Sequence, residues 1–288
     1  MIMSLAAAVL TAALAGHTDT TLAVKQGTRL SVNNFGGAIA VKVWDKNAVR
    51  IEADHSERVV VDIGANPGAI DVSARSRHGL PARVDYQITV PAWIALGLSG
   101  VYTDVSVEGS KGEVLAETVK GDVNVTGGAG LVRLSSVQGV VTVVGARGRL
   151  ELSSINEAVN VHDVVGEVSV DAVNGSVVME RIDSPLVEAA SVNGNITYIG
   201  TIKEHGRYHF ETHNGNIQVG IPEKVNAKFT VSTVNGSFVP SFSIGQIDRR
   251  WGKCFDFTLG TGGAQVEMET FQGTIRLQRL IKGKLEEE

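Results

Sequence analysis

Three histidines, His205, His209 and His213, stand four residues apart. On a helix this spacing would line one face and offer imidazoles to a metal. The surrounding alternation predicts a strand instead. His209 then falls outward between Tyr208 and Phe210, and His213 takes a slot filled by inward Val elsewhere, so the rings face different sides. His209 and Glu211 share a face, and two groups make only an adventitious metal site. The expectation is no metal and no cofactor.

Carboxylates are the next candidates, because glycoside hydrolysis needs two of them facing one cleft. The outward positions predicted for successive repeats are Asn124, Thr142, Asn160 and Val178 on one sheet, and Arg133, Glu151 and Ser169 on the other. Neither set stacks acids, and few aromatics are available as a sugar platform. Asp163, Asp171 and Asp183 read as turn residues. Cys254 is the sole cysteine, which excludes an intrachain disulfide and a Cys-based zinc site. No nucleophile elbow, phosphate loop, dinucleotide fingerprint or calcium repeat is present. A flat Thr-x-Thr face of the ice-binding kind is absent too. The chain reads as a non-enzyme. One local anomaly remains, Arg249-Arg250-Trp251. It is either a contact loop, since Trp and Arg favour interaction hot spots, or a cap whose Trp covers the last repeat.

The elements that position these residues follow from composition. The 288 residues include 33 Gly, 6 Pro and 42 Val. Disordered chains lack β-branched residues, collagen needs Gly at every third place, and Val and Gly are poor coiled-coil formers. Many short strands and tight turns remain. The net charge of −5 comes without a basic patch, so nucleic acid is not an expected partner.

A repeat organises the chain. It is visible in Thr118-Val-Lys-Gly121, Ser136-Val-Gln-Gly139, Ala172-Val-Asn-Gly175, Ser191-Val-Asn-Gly194, Thr212-His-Asn-Gly215, Thr233-Val-Asn-Gly236 and Thr270-Phe-Gln-Gly273. From Gly121 to Gly175 the period is 18 residues, with Glu157 in the vacant slot, and the later steps are 19, 21, 21 and 37. Further turn positions, Gly112, Gly130, Gly148, Gly166, Pro185 and Gly206, fall halfway. Between turns, pairs such as Val141 and Val143, Leu150 and Leu152, and Val159 and Val161 alternate inward. Val137, Ile155, Val173, Val192 and Val234 are expected as a third inward residue after a bend. Asn174-Gly175, Asn193-Gly194, Asn214-Gly215 and Asn235-Gly236 tolerate positive φ, which would explain the turn.

Two architectures fit. An antiparallel meander would use Asn-Gly as hairpin loops. It would set Val173 against Ser176, an apolar–polar mismatch. A right-handed parallel β-solenoid with 18–21-residue rungs would stack Val173 between Ile155 and Val192, like upon like. The solenoid is the preferred all-β reading. It places a solenoid repeat domain at 101–280, with a lateral loop or cap at 240–263. The less regular strands of 17–100 (30–32, 38–44, 49–53, 59–63 and 84–90) would form an N-terminal β segment and cap, and 281–288 a charged tail.

Residues 2–14 form a thirteen-residue apolar run ending in Ala13-Leu14-Ala15. This is the pattern of a signal peptide over 1–16, although no Lys or Arg precedes it. Nothing else is apolar for long enough to span a bilayer.

The motifs also resemble a family. Asn34-Phe-Gly-Gly37 with Ala38-Ile-Ala-Val41 and Trp44-Asp45 is similar to the opening strand of the bacterial putative-adhesin, β-strand-repeat family, a domain of unknown function. Val84-Asp-Tyr-Gln-Ile-Thr-Val-Pro91 resembles its strand into the repeats. Gly260-Thr-Gly-Gly263 through Thr270-Phe-Gln-Gly-Thr-Ile-Arg-Leu277 resembles its closing segment. The resemblance spans about residues 28–280, departing at Glu157. It implies a β-helical fold and a bacterial envelope location, with no catalytic residues. The expected function is a structural or adhesin-like binding protein, exported to the periplasm, cell surface or medium. Its partner would be an envelope surface component or a partner protein. The alternatives are an envelope-stress or regulatory partner-binding module and a carbohydrate-active enzyme.

Overall fold

Alternating Val, Ile and Leu make almost every segment a strand. The computed structural model describes residues 10–14, 16–77, 79, 82–245, 247–250, 253–281 and 284–285, and among these there are strands but no helix. The chain forms two compact units, Met1–Ser136 and Val137–Glu288.

In the first unit the long strand Arg29–Trp44 lies parallel to Ala95–Ser110, from Arg29 opposite Ala95 to Lys42 opposite Glu108. Its other side pairs in parallel with Ala69–Ser76 and then Arg83–Pro91. Arg83–Pro91 continues into an antiparallel run through Ala48–His55, His17–Ala23 and Leu10–Leu14. Val59–Asn66 forms a hairpin with Ala69–Ser76. Leu30, Val32, Ile39, Val84, Leu96, Val105 and Val123 are among its buried core. Of the expected signal segment, Leu10–Leu14 is therefore a strand, while residues 1–9 and 15 lie outside the described residues.

In the second unit the strands alternate between two parallel ladders. One runs Val141, Val159, Val177, Ile196, Ile217 and Ile275, each opposite the next. The other runs Leu150, Val168, Val187, Tyr208 and Val266. Nearly all of these side chains are fully buried, so like stacks on like, and the one polar group among them, the Tyr208 hydroxyl, donates to Ser184 O at 2.6 Å. Along Val141–Ile221 each strand pairs in parallel with the second strand on, which excludes the antiparallel meander there.

Three expectations are corrected. First, Ile155, Val173, Val192 and Val234 point out, not in, with 42%, 38%, 45% and 57% of their surface exposed, and Val137 is half-buried. The inward residue is the one before them. Leu150, Leu152 and Ser154 continue a strict period of two, with Ser154 buried, so no bend precedes Ile155.

Second, the repeats do not stack in chain order. Thr233 does not follow Thr212. Thr270 sits opposite both of them, because Ala264–Gln272 lies between Arg207–Asn214 and Ala227–Thr233. Residues 240–263 make this crossover possible. Lys253–Leu259 returns antiparallel to Ala227–Thr233, and Asp248–Arg250 pairs antiparallel to it in turn. Phe229, Phe238, Phe255 and Phe257 cluster there with ring centroids 4.9–5.7 Å apart. Arg249 and Arg250 belong to this terminal strand, and Trp251 lies outside the described residues. Third, Asp171 is not a turn residue. It lies in Val165–Ala172 between Ser153 and Ala190.

Of the charged tail, Lys284–Leu285 pairs back on Leu280 and Ile281, and 282–283 and 286–288 lie outside the described residues.

Candidate functional site

The repeated Ser/Thr-x-Asn-Gly turn assigns one task to each position. The first residue is buried and its hydroxyl donates to a carbonyl of the neighbouring turn. Ser154 bonds Gly139 O at 3.2 Å, Ser191 bonds Gly175 O at 3.1 Å, Thr212 bonds Gly194 O at 2.9 Å and Thr270 bonds Gly215 O at 3.0 Å. A buried hydroxyl costs little when it is bonded in this way. Thr233, on the last turn, has a buried hydroxyl without such a partner.

The third position builds a side-chain ladder. The Asn174 amide donates to Asn156 Oδ1 at 3.1 Å, Asn193 to Asn174 at 2.9 Å and Asn214 to Asn193 at 2.9 Å. Backbone amides reinforce it, with Asn193 N bonding Val173 O and Asn235 N bonding Phe271 O.

The glycine serves a different purpose from the one expected. Among the positive-φ residues, Gly121 and Gly273 appear, but Gly175, Gly194, Gly215, Gly236 and the four asparagines do not. What those glycines provide is clearance. A Cβ on Gly175 would overlap the carbonyl oxygen of Glu157. Gly194 meets Gly175 in the same way, Gly215 meets Gly194, and Gly236 and Gly215 flank Gly273.

The second position is left facing solvent. Ile155, Val173 and Val192 are succeeded by His213 and Phe271, whose rings stack at 4.7 Å and 4°, and then by Val234. The result is a row of exposed apolar and aromatic side chains along one edge, bordered by the amide ladder. The first unit exposes Phe35, Tyr102 and Val119 on its strands. Sequence reasoning missed this edge because it placed these residues inside. The signal was present, since the small residue before each of them, Ser, Thr or Ala, keeps the inward phase.

No family model matches the chain. No curated protein matches it either. Among solved structures, a putative adhesin from Parabacteroides distasonis ATCC 8503 is similar over 91% of this chain and 97% of its own, at 10% identity and a TM-score of 0.35. A putative cell adhesion protein from Clostridium sporogenes ATCC 15579 is similar over 92% and 100%, at 11% identity and a TM-score of 0.23. What the surface can do follows from this chain's own geometry.

The edge offers no acid–base pair; His213 is its only ionisable group. The outward column read from sequence ended at Ser169, which lies opposite Glu188. Beyond it the column continues through Glu188, His209 and Glu267. His209 lies 3.5 Å from Glu267 and 3.6 Å from Glu211. These are surface contacts between one imidazole and two carboxylates. Among the described residues no group of three or more His, Cys, Asp or Glu is arranged to hold a metal.

Asp163 sits at a left-handed corner and is gripped by Arg181 through two bonds, of 2.6 and 2.9 Å. That guanidinium holds its carboxyl below the usual carboxylate range. Asp183 is lowered similarly, chiefly by Lys203 at 2.8 Å. Both carboxylates are thus committed as anions to structural partners. Cys254 is a free, half-buried thiol in the terminal hairpin.

Proposed function

We propose that this chain is a non-enzymatic, adhesin-like binding scaffold of the bacterial cell envelope. In this reading it is exported and coils as a right-handed parallel β-solenoid of 18–21-residue rungs. The observation that carries the reading is the exposed edge of Ile155, Val173, Val192, Phe271 and Val234. Monomers rarely expose a contiguous apolar surface without a use for it. Here the edge is held by stacked backbone and an amide ladder, so a partner meets a preorganised surface and little ordering entropy is lost on contact.

The apolar character of the edge favours a protein partner, and so supports the partner-binding alternative over a purely structural rod. The carbohydrate-active enzyme draws no support from this edge, which carries no carboxylate among its exposed side chains. The serial order of family-like motifs supports an envelope location. Among the described residues no helix is long and apolar enough to cross a membrane.

The test replaces Val173 and Val192 together with Lys. Both are exposed, so thermal stability should change by about 0.5 kcal/mol or less per site. Retention of the purified protein on isolated bacterial envelopes should fall about tenfold or more. Undiminished retention would overturn the role of the edge. Mass spectrometry of the native protein should find the mature chain beginning near Gly16.

A further inference from the structure

A second surface, in the first unit, has the chemistry of a ligand site. On the outer face of the strands Arg29–Trp44, Ala95–Ser110 and Val114–Lys120 lies a groove of about 310 Å³, within the ordinary ~300–1,000 Å³ range of small-ligand pockets. Ser31 and Asn33 stand on one wall and Glu117, Arg133 and Ser135 on the other, with Gly97 and Ser99 between them.

Gly97 makes the groove. A glycine inside a strand weakens it, and normally a special φ or a close approach compensates. Gly97 has neither: its φ is not positive, and a Cβ there would meet Ser31 Oγ at 3.8 Å and Leu30 O at 3.9 Å, ordinary contacts. Backbone and packing would both accept a side chain. What its absence leaves is the open floor between Ser31 and Leu115.

An aromatic pair stands beyond the Asn33 end of the groove, outside its lining. Phe35 and Tyr102 are 42% and 58% exposed, with ring centroids 5.7 Å apart. Phe35 follows Asn33 by two residues, and both are exposed on either side of buried Asn34, so they share a face about 6.7 Å apart. Exposed rings of this size suit a flat C–H face.

We infer that this groove binds a linear, neutral saccharide. Ser99 Oγ donates to Asn33 Oδ1, which leaves the Asn33 amide as a donor and the Ser31 and Ser135 hydroxyls to donate and accept, as vicinal hydroxyls require. The rings beyond Asn33 match the apolar face of a pyranose at the end of such a chain. Glu117 and Arg133 bring opposite charges, so neither an anionic nor a cationic ligand is selected. A peptide strand is disfavoured, because the groove lies on a sheet face whose backbone groups are engaged in ladders on both sides.

The test is titration of the full chain with linear glucose hexamers and N-acetylglucosamine hexamers, followed by calorimetry and saturation-transfer NMR. Saturation should be strongest on the sugar C–H protons. Gly97→Leu, which fills the floor, and Tyr102→Ala, which removes a ring, should each weaken binding about tenfold or more. The doubly substituted edge variant, Val173→Lys with Val192→Lys, should bind sugar normally, which separates this site from the apolar edge. Gly97→Ala serves as the milder filling variant if the Leu side chain disturbs folding. The inference is overturned if neither hexamer binds, or if binding survives within about twofold in both Gly97→Leu and Tyr102→Ala. It is equally overturned if only charged saccharides bind.

Discussion

Each stacked glycine is required by the carbonyl it faces. At Gly194 a methyl group would run into Gly175 O and lie 2.7 Å from Ser191 Oγ, the hydroxyl that holds the two turns together. The backbone there cannot move without parting the ladder. Gly194→Ala should therefore lower stability by about 2–4 kcal/mol, the upper range of overpacking. Gly97→Ala, which meets only ordinary contacts, should be neutral or slightly stabilising, because a strand glycine loses more entropy on folding than alanine. Urea denaturation of the two variants checks the contrast. The glycine positions were legible in the repeat, whereas their reason was not. Positive φ is a local property that sequence suggests, while clearance depends on which carbonyl lies next door.

Strand register decides which side chains stack. Val159 is fully buried between Val141 and Val177, and Asn160 lies between Thr142 and Val178 on the wet side. Val159→Asp buries a carboxylate with no partner and should cost several kcal/mol, about enough to unfold a marginal domain. Asn160→Asp should cost about 0.5 kcal/mol or less, since its charge stays hydrated. Thermal melts of both variants test the register, because a one-residue slip would exchange the faces. Alternation of apolar residues carried this much of the structure correctly. It failed at Ile155, Val173 and Val192, where a hydrophobic side chain was assumed to seek the interior. The inward slot is instead held by Ser154, Ala172 and Ser191, and two of these are hydroxyls matched to a carbonyl.

The second unit is closed by a rung taken out of order. Ala264–Gln272 and Thr274–Ile281 bridge the earlier ladders to Ala227–Thr233 and Ser237–Pro240. A chain ending at Gly263 would leave both neighbours with unpaired edges and uncover Tyr208, Phe210, Ile217 and Val219. Such a truncation should abolish the cooperative melt of residues 137–263, as measured by calorimetry, rather than shorten the unit by one rung. Survival of a cooperative transition there would contradict the bridging role.

The sequence alone determines the all-strand class, the inward columns and the repeated turn, because alternation and small turn residues are local and repeat along the chain. It also carries Thr270-Phe-Gln-Gly273 as a repeat equal to the others. The tertiary structure alone decides that this repeat stacks beside Thr212-His-Asn-Gly215. Any rung of like residues satisfies the ladder of any other, so the order is set by the hairpin at 248–259, whose strand and phenylalanines occupy the far side of Ala227–Thr233. The same holds for the exposed edge and for the groove at Gly97. Each depends on what neighbouring strands leave uncovered, and exposure is a property of the assembled sheet rather than of a residue type.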